Sequence, residues 1–296
     1  MLKNLIVLLR PKQWAKNLLV FAAWMFAGRF SDQSAIFAVC LAFVAMTLAS
    51  SSTYVFNDIL DVERDRNHPK KKNRPVASGA IPVPAAIAIG SVLLFGSLYL
   101  AWSLNSTSLA LVVTYLVLQV AYNLALKSVP VLDVFSISFG FVIRAVLGAA
   151  ALVVPTSGWF IFCTSALALM LGFAKRRNEF ILQADNKESS RASLTHYSRQ
   201  ALDALVFMFA TCSAICYVIY TLESSTAKSH PALVITAPFV LYGVARYLLR
   251  VFNEDEGGEP ADLLFGDWHI VGSVVLFVVA AGLAISGTVK LPFLIP

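Results

Sequence analysis

The sequence predicts an all-α, polytopic membrane protein, a bundle of nine transmembrane helices. Two observations carry this. Of 296 residues, 58% are hydrophobic and only 14% charged, where a soluble domain has about one-quarter charged. Apolar runs long enough to cross roughly 30 Å of hydrocarbon also recur along the chain, at 14–30, 35–56, 80–102, 107–126, 130–153, 158–174, 201–222, 231–251 and 268–289.

The first run is short. Lys3, Arg10, Lys12 and Trp14 precede or open it with no small-residue cleavage site, so it reads as a helix with an interfacial lead-in rather than a removable signal peptide. The second ends in the charged stretch "NDILDVERDRNHPKKKNRP" (57–75), and "PVASGAIP" (75–82) then turns the chain into the third. The third and fourth are joined by "SLNST" (103–107), and the fourth ends at "YNLALK", with Tyr122 and Lys127. The fifth carries Asp133 and Arg144, and "VPTSG" (154–158) leads to the sixth, which stops at "KRRNEF" (175–180). The last three runs are uncharged over most of their length. No short repeat or low-complexity linker divides the chain, so 1–296 reads as one domain, with a weak echo between the charged ends of the second and sixth runs.

The placement of Lys and Arg orients the bundle. With the amino terminus in the cytoplasm, all but four of the 23 Lys and Arg lie on the inner side: Arg29, Lys228 and Lys290 fall outside and Arg144 within a run. That bias is what the positive-inside rule requires. The long polar loops 57–79, 175–200 and 252–267 all face inward, so the chemistry is expected at the cytoplasmic face of the inner (plasma) membrane.

The four cysteines, Cys40, Cys163, Cys212 and Cys216, lie in apolar runs without a CxxC pattern and read as small packing residues. His68, His196, His230 and His269 are scattered, with no i,i+4 pair for zinc; His68 alone sits by the acidic stretch. Nothing in the pattern points to nucleic acid.

The stretch 57–75 is where charge of both signs is concentrated. On a helix at about 100° per residue, Asp58, Asp61 and Asp65 fall within a ~60° arc. Three like charges on one face repel, and a divalent cation among them relieves the repulsion; hard carboxylate oxygens suit Mg²⁺, which takes further ligands from substrate phosphates. Pro69 ends the helix and Lys70, Lys71, Lys72 and Arg74 follow. An acidic, metal-holding face beside a cationic loop is what a diphosphate needs, and Gly79 would let backbone approach the ligand. The alternative is a solvated juxtamembrane loop whose lysines attract anionic lipid. Lys127 could equally snorkel, and Arg144, a functional candidate by its depth, could equally form a buried ion pair with Asp133. The cations of "KRRNEF" could be a positive-inside stop.

"NDILDVERDRNHPKKKNRPVASG" resembles the first aspartate-rich motif of the UbiA-type intramembrane prenyltransferases. The resemblance implies nine helices around a central, membrane-open cavity with a cytoplasmic active site. Within that superfamily "RPKQWAKNLLVFAA" (10–23), "YNLALKSVPVLDVFSISFGFVIRAVLGA" (122–149), "GFAKRRNEF" with "HYS" (172–198) and "GGEPADLLFGD" (257–267) are similar to the branch that transfers phosphoribosyl groups to decaprenyl-type polyprenyl phosphates. Aromatic prenyltransferases usually carry a second aspartate-rich motif after span 6; here that place reads "KRRNEF".

The resemblance implies phosphoribosyl diphosphate as donor, bound through Mg²⁺ on Asp58, Asp61 and Asp65 with Asn57 helping and Lys71 and Arg74 clamping phosphate oxygens. A polyprenyl phosphate lipid is the implied acceptor. Lys12, Lys16, Lys127, Lys175 and Arg176 are left for the 5-phosphate and the lipid phosphate, and Tyr122, Arg144 and Glu179 stand as further substrate-binding candidates. A homo-oligomer is compatible with the sequence. Two rivals remain: an aromatic prenyltransferase using a polyprenyl diphosphate, and a transporter with Asp133 and Arg144 in an ion path. Against the transporter, charge is piled at one face and no paired, Gly/Pro-broken spans of inverted-repeat type occur.

Overall fold

The computed structural model describes residues 2–69, 71–185, 192–253, 263 and 266–289, and among them every regular element is helical. α1 (Leu2–Leu9) leads into a 3₁₀ helix, Pro11–Val20, which passes directly into α2 (Phe21–Ala27). The single α-helical span expected over 14–30 is thus corrected to a tighter helix followed by seven α-helical residues. Three residues per turn line up Trp14, Asn17 and Val20, and this is the inward face. Asn17 and Val20 are fully buried, and Trp14 donates to Ser51 Oγ at 3.1 Å. A Cβ on Gly148 would lie 2.0 Å from the Val20 carbonyl oxygen, so that crossing depends on glycine.

α3 (Gln33–Leu60) starts where Asp32 accepts the Ala35 N–H, and α4 (Val62–Arg66) follows it. α5 (Val83–Leu104) begins with Pro84 in its first turn, where the missing N–H costs nothing. α6 (Ser106–Leu124), α7 (Leu132–Leu152) and α8 (Gly158–Asp185) come next. α9 (Arg199–Glu223) is capped by Ser198, α10 (Ser225–Ser229) by Ser224, and α12 (Trp268–Ile285) by Asp267; α11 (Ala237–Asn253) precedes that last helix. Among the described residues eight helices are long and apolar enough to cross a membrane: α3, α5, α6, α7, α8, α9, the segment Pro231–Asn253 and α12.

The described residues group into two compact units. Residues within 1–24, 31–124 and 143–154 form the first, and those within 25–30, 125–142 and 155–296 the second. In the first, α3 packs along α5. Small residues permit the approach: buried Ser52 donates to the Gly90 carbonyl at 3.1 Å, and a Cβ on Gly90 would meet Phe56 at 3.1 Å. In the second, α8 packs along α9, with Phe173 stacked on Phe209 at 5.5 Å.

Candidate active site

The acidic stretch lies in the first unit. α3 carries Asn57 and Asp58 in its last turn, and Asp61 follows as the residue between α3 and α4, with φ −94° and ψ 6°. Helical bonds continue across it, Asp61 N–H to Asn57 and Asp65 N–H to the Asp61 carbonyl, at 3.0 and 2.8 Å. The bend nevertheless separates the three carboxylates. Asp58 and Asp65 converge on one guanidinium, Arg74 Nη1 donating to Asp58 Oδ1 at 3.1 Å and to Asp65 Oδ2 at 2.7 Å. Asp61 turns instead to Arg64, 2.7 Å away. The expected arc of three is a buried pair and one separate, half-exposed acid, because the helix does not run regularly through position 61.

A second arginine completes the pair. Arg10 Nη2 donates to Asp58 Oδ1 at 2.5 Å while its guanidinium lies 4.8 Å from the centre of the Tyr54 ring. Asp58 is 3% exposed and Asp65 1%, while Arg10 and Arg74 are partly exposed, so two buried carboxylates are covered by two guanidiniums in a charge-balanced cluster. Sequence reasoning counted Arg10 among the inner cations and at the head of "RPKQWAKNLLVFAA", and gave it no role at the site. Its place directly before Pro11, opening the "RPKQWAK" segment, is the signal that could have marked it.

The loop after α4 is built as a scaffold for Arg74. Lys71–Asn73 forms a 3₁₀ turn, with the Arg74 N–H bonded to the Lys71 carbonyl and the Ser78 N–H to that of Arg74, each at 2.9 Å. His68 has a structural part: its Nδ1 accepts the Lys71 N–H at 3.3 Å. Gly79 adopts φ 77°, and nothing lies within 4 Å of where its Cβ would be, so backbone there is open to approach. Lys71 is half-buried and its ammonium meets no acid among the described residues. Lys70 lies outside the described residues.

Lys12 and Lys16 sit on the 3₁₀ helix. At three residues per turn they point about a third of a turn apart, so they do not form the shared face an α-helix would give them. Lys12 is exposed and Lys16 half-buried.

Arg144 is 6% exposed and does not pair with Asp133. Its Nε donates to Asn17 Oδ1 at 2.8 Å and its Nη2 to Tyr115 Oη at 3.1 Å, and it lies 4.9 Å over the Tyr115 ring. Asn17 in turn donates to Thr47 and Ser50. This network ties four elements of the first unit together, which is a structural role for Arg144.

In the second unit, Asp133 is fully buried and binds Arg176, whose Nε lies 2.7 Å from Asp133 Oδ2 and whose Nη1 lies 2.7 Å from Glu179 Oε2. Ser193 Oγ donates to Asp133 Oδ2 at 3.2 Å. Tyr197 Oη donates to Asp133 Oδ1 at 3.4 Å and accepts the N–H of Val131 at 2.5 Å. Burial pushes the Tyr197 phenol above its ordinary value, keeping it a donor. Arg177 is equally enclosed, with Nε on Asp203 Oδ1 at 2.6 Å, Nη1 on the Val251 carbonyl at 2.8 Å, and Phe252 beneath it.

The expectation that Arg176 grips a substrate phosphate is therefore corrected. α8 runs on to Asp185 rather than stopping at 174, which directs Arg176 and Arg177 into helix contacts and leaves half-buried Lys175 as the cation of "KRRNEF" nearer the surface. Tyr122 lies in the last turn of α6, and Lys127 occupies the 3₁₀ turn Leu126–Ser128. Asp267, the last residue of "GGEPADLLFGD", caps α12; its partner Arg246, 2.8 Å away, holds its carboxyl at about 2. Residues 254–262, 264 and 265 of that region lie outside the described residues.

Among the described residues no three Asp, Glu, His or Cys side chains converge as a cage for a metal ion. One feature of the pair nevertheless fits a hard cation: Asp65 Oδ1 is buried and has no hydrogen-bond partner, whereas buried carboxylate oxygens are normally satisfied. Asp58 and Asp65 with this orphaned oxygen have the donor chemistry that Mg²⁺ prefers.

The sequence profile described as the UbiA prenyltransferase family matches residues 18–270. The chain is 34% identical over 282 residues to a decaprenyl-phosphate phosphoribosyltransferase of Mycolicibacterium smegmatis, covering 90% of this chain and 87% of that one. A Corynebacterium glutamicum protein of the same name is 34% identical over 271 residues, covering 89% and 81%. Among solved structures, a UbiA homolog from Archaeoglobus fulgidus bound to GPP and Mg²⁺ superposes with a TM-score of 0.70 at 18% identity, covering 96% of this chain and 99% of that one.

Proposed function

The chain belongs to the UbiA prenyltransferase family, and from that premise we propose that it transfers the 5-phosphoribosyl group of phosphoribosyl diphosphate to a decaprenyl-type polyprenyl phosphate, releasing diphosphate. The observation that carries this reading is the match, over about nine-tenths of the chain, to relatives named for that reaction.

The site's chemistry is consistent with it. A phosphomonoester with a second pKa near 6 is largely dianionic at pH 7, so the lipid phosphate attacks without a general base. One of its oxygens bonds to ribose C1 as the C1–O bond to diphosphate breaks, and the electron pair leaves with diphosphate. Positive charge develops on C1, an oxocarbenium-like transition state. Asp58 and Asp65 would hold Mg²⁺, with Asn57 nearby, and Asp61 would join them on releasing Arg64; when bound, the ion supplies a Lewis acid for the leaving diphosphate. Arg74 and Lys71 would take phosphate oxygens directly. Lys12, Lys16, Lys127 and Lys175 remain for the 5-phosphate and the lipid phosphate, and Tyr122 for the acceptor. Arg144, Arg176 and Glu179 act by holding helices in place.

The protein lies in the inner (plasma) membrane with its amino terminus and active site cytoplasmic, a reading supported by the distribution of Lys and Arg. Nine spans remain the count we favour. Ten 3₁₀ residues at about 2.0 Å each and seven α-helical residues at about 1.5 Å extend roughly 30 Å, enough to cross the hydrocarbon. All 296 residues then act as one catalytic domain.

The test is donor choice by the protein in nanodiscs. Diphosphate release with phosphoribosyl diphosphate plus a polyprenyl phosphate, and none with a polyprenyl diphosphate plus an aromatic acid, is the expected result. The reverse assigns the chain to aromatic prenylation.

A further inference from the structure

Asp58 Oδ1 already accepts two N–H groups, one from Arg10 at 2.5 Å and one from Arg74 at 3.1 Å. Two carboxylates facing two guanidiniums leave no net charge for an incoming cation to neutralise. A divalent ion added to that cluster would meet two positive groups at close range, around carboxylates that are themselves buried. One guanidinium must therefore withdraw when a cation binds.

The geometry distinguishes the two. Arg74 spans both acids through Nη1, and its backbone is fixed at both sides by turn hydrogen bonds. Arg10 holds Asp58 alone, and does so from a left-handed backbone, φ 53°, that non-glycine residues rarely adopt. Arg10 also has somewhere to go, since its side chain, stacked on Tyr54 while it holds Asp58, is 27% exposed and borders open space. The flanking chain need not move. Leu8 is buried against Val55 and Val76, and the Leu9 carbonyl accepts from Trp14 and Ser51 at 3.2 and 3.1 Å. Only the Arg10 side chain has to swing. Independently, Asp65 Oδ1, buried and unpartnered, offers a cation an oxygen that neither arginine occupies.

We propose that Arg10 and a divalent cation exchange at Asp58, so that cation binding frees the Arg10 guanidinium to grip the diphosphate of the donor. Arg10 is then both the internal competitor of the metal and a donor-binding residue. This rests on the proposed reading of the site as one that binds a diphosphate through a cation.

The two roles predict opposite effects of one substitution. In full-length protein in nanodiscs, without substrate, Mn²⁺ binding followed by electron paramagnetic resonance should be roughly tenfold tighter in Arg10→Gln than in wild type. The KM for phosphoribosyl diphosphate should rise by about ten- to a hundredfold, the loss of a charge-assisted bond, and Arg10→Lys should recover part of both. A wild-type measurement covers the case in which Arg10→Gln does not fold: phenylglyoxal should modify Arg10 faster with Mn²⁺ present, and slower again once phosphoribosyl diphosphate is added. Equal or weaker Mn²⁺ binding in Arg10→Gln, or an Arg10 modification rate indifferent to Mn²⁺, overturns the exchange alone. Absence of Mn²⁺ binding in wild type overturns the exchange and the metal reading together.

Discussion

Arg176 and Asp133 stand 43 residues apart in sequence and 2.7 Å apart in space, with almost none of either side chain exposed. Removing one member of such a pair leaves the other charged and buried, and this, rather than the pair itself, is the costly state. Asp133→Asn should destabilise the protein by on the order of 3 kcal/mol, while Asp133→Leu with Arg176→Met should cost much less. Lys175→Ala should raise KM for one substrate by about tenfold or more. Melting curves in detergent and steady-state kinetics check the two halves.

Asp61 separates function from folding. Among the described residues it pairs only with exposed Arg64, and surface pairs contribute little. Asp61→Asn should melt like wild type yet lose turnover, as should wild type in excess EDTA. Asp58→Asn and Asp65→Asn leave guanidiniums without their carboxylates and should lose both turnover and about 3 kcal/mol of stability. Full activity of wild type in EDTA would remove the metal from the account.

Asp267 sets an acid limit. Its carboxyl is held at about 2 against an ordinary 3.8, first by Arg246 and then by the N–H groups at the start of α12. A depressed value stabilises the fold above the ordinary carboxylate range, and that contribution is lost as pH falls from about 4 toward 2. Asp267→Ala should cost about 1 kcal/mol at pH 7 as a lost helix cap and flatten the acid limb of the melting curve. An acid limb identical to that of wild type would contradict this.

Orientation is tested by thiol labelling on a background lacking the four native cysteines. A cysteine replacing Ser106, at the start of α6, should react with an impermeant reagent in intact cells. One replacing Asn73, in the turn that positions Arg74, should react only after permeabilisation.

The long helices were legible because membrane hydrocarbon imposes length and composition together, and α3, α5, α6, α7, α8, α9 and α12 fall where apolar runs predicted them. The stretch 11–27 was not. Its winding is set by what Trp14, Asn17 and Val20 meet across the fold and by the bare backbone of Gly148, and no local composition records that. The aspartate motif was legible as a motif, but regular helical spacing misjudged Asp61, where the chain bends. The same spacing could not foresee that Arg10 would reach Asp58 from 48 positions away. "KRRNEF" reads as surface charge until Asp133 and Asp203 are seen to receive its arginines. Each is a lone acid at the end of another span, a pattern that in retrospect marks a partner.

The most direct test of the account follows oxygen. A polyprenyl phosphate carrying ¹⁸O in its phosphate is incubated with phosphoribosyl diphosphate and the protein in nanodiscs, and both products are weighed by mass spectrometry. If the lipid phosphate attacks ribose C1, the lipid gains one phosphoribosyl group and keeps all its label, and the released diphosphate carries none. Label in the diphosphate, or a lipid that gains no phosphoribosyl group, would contradict the account.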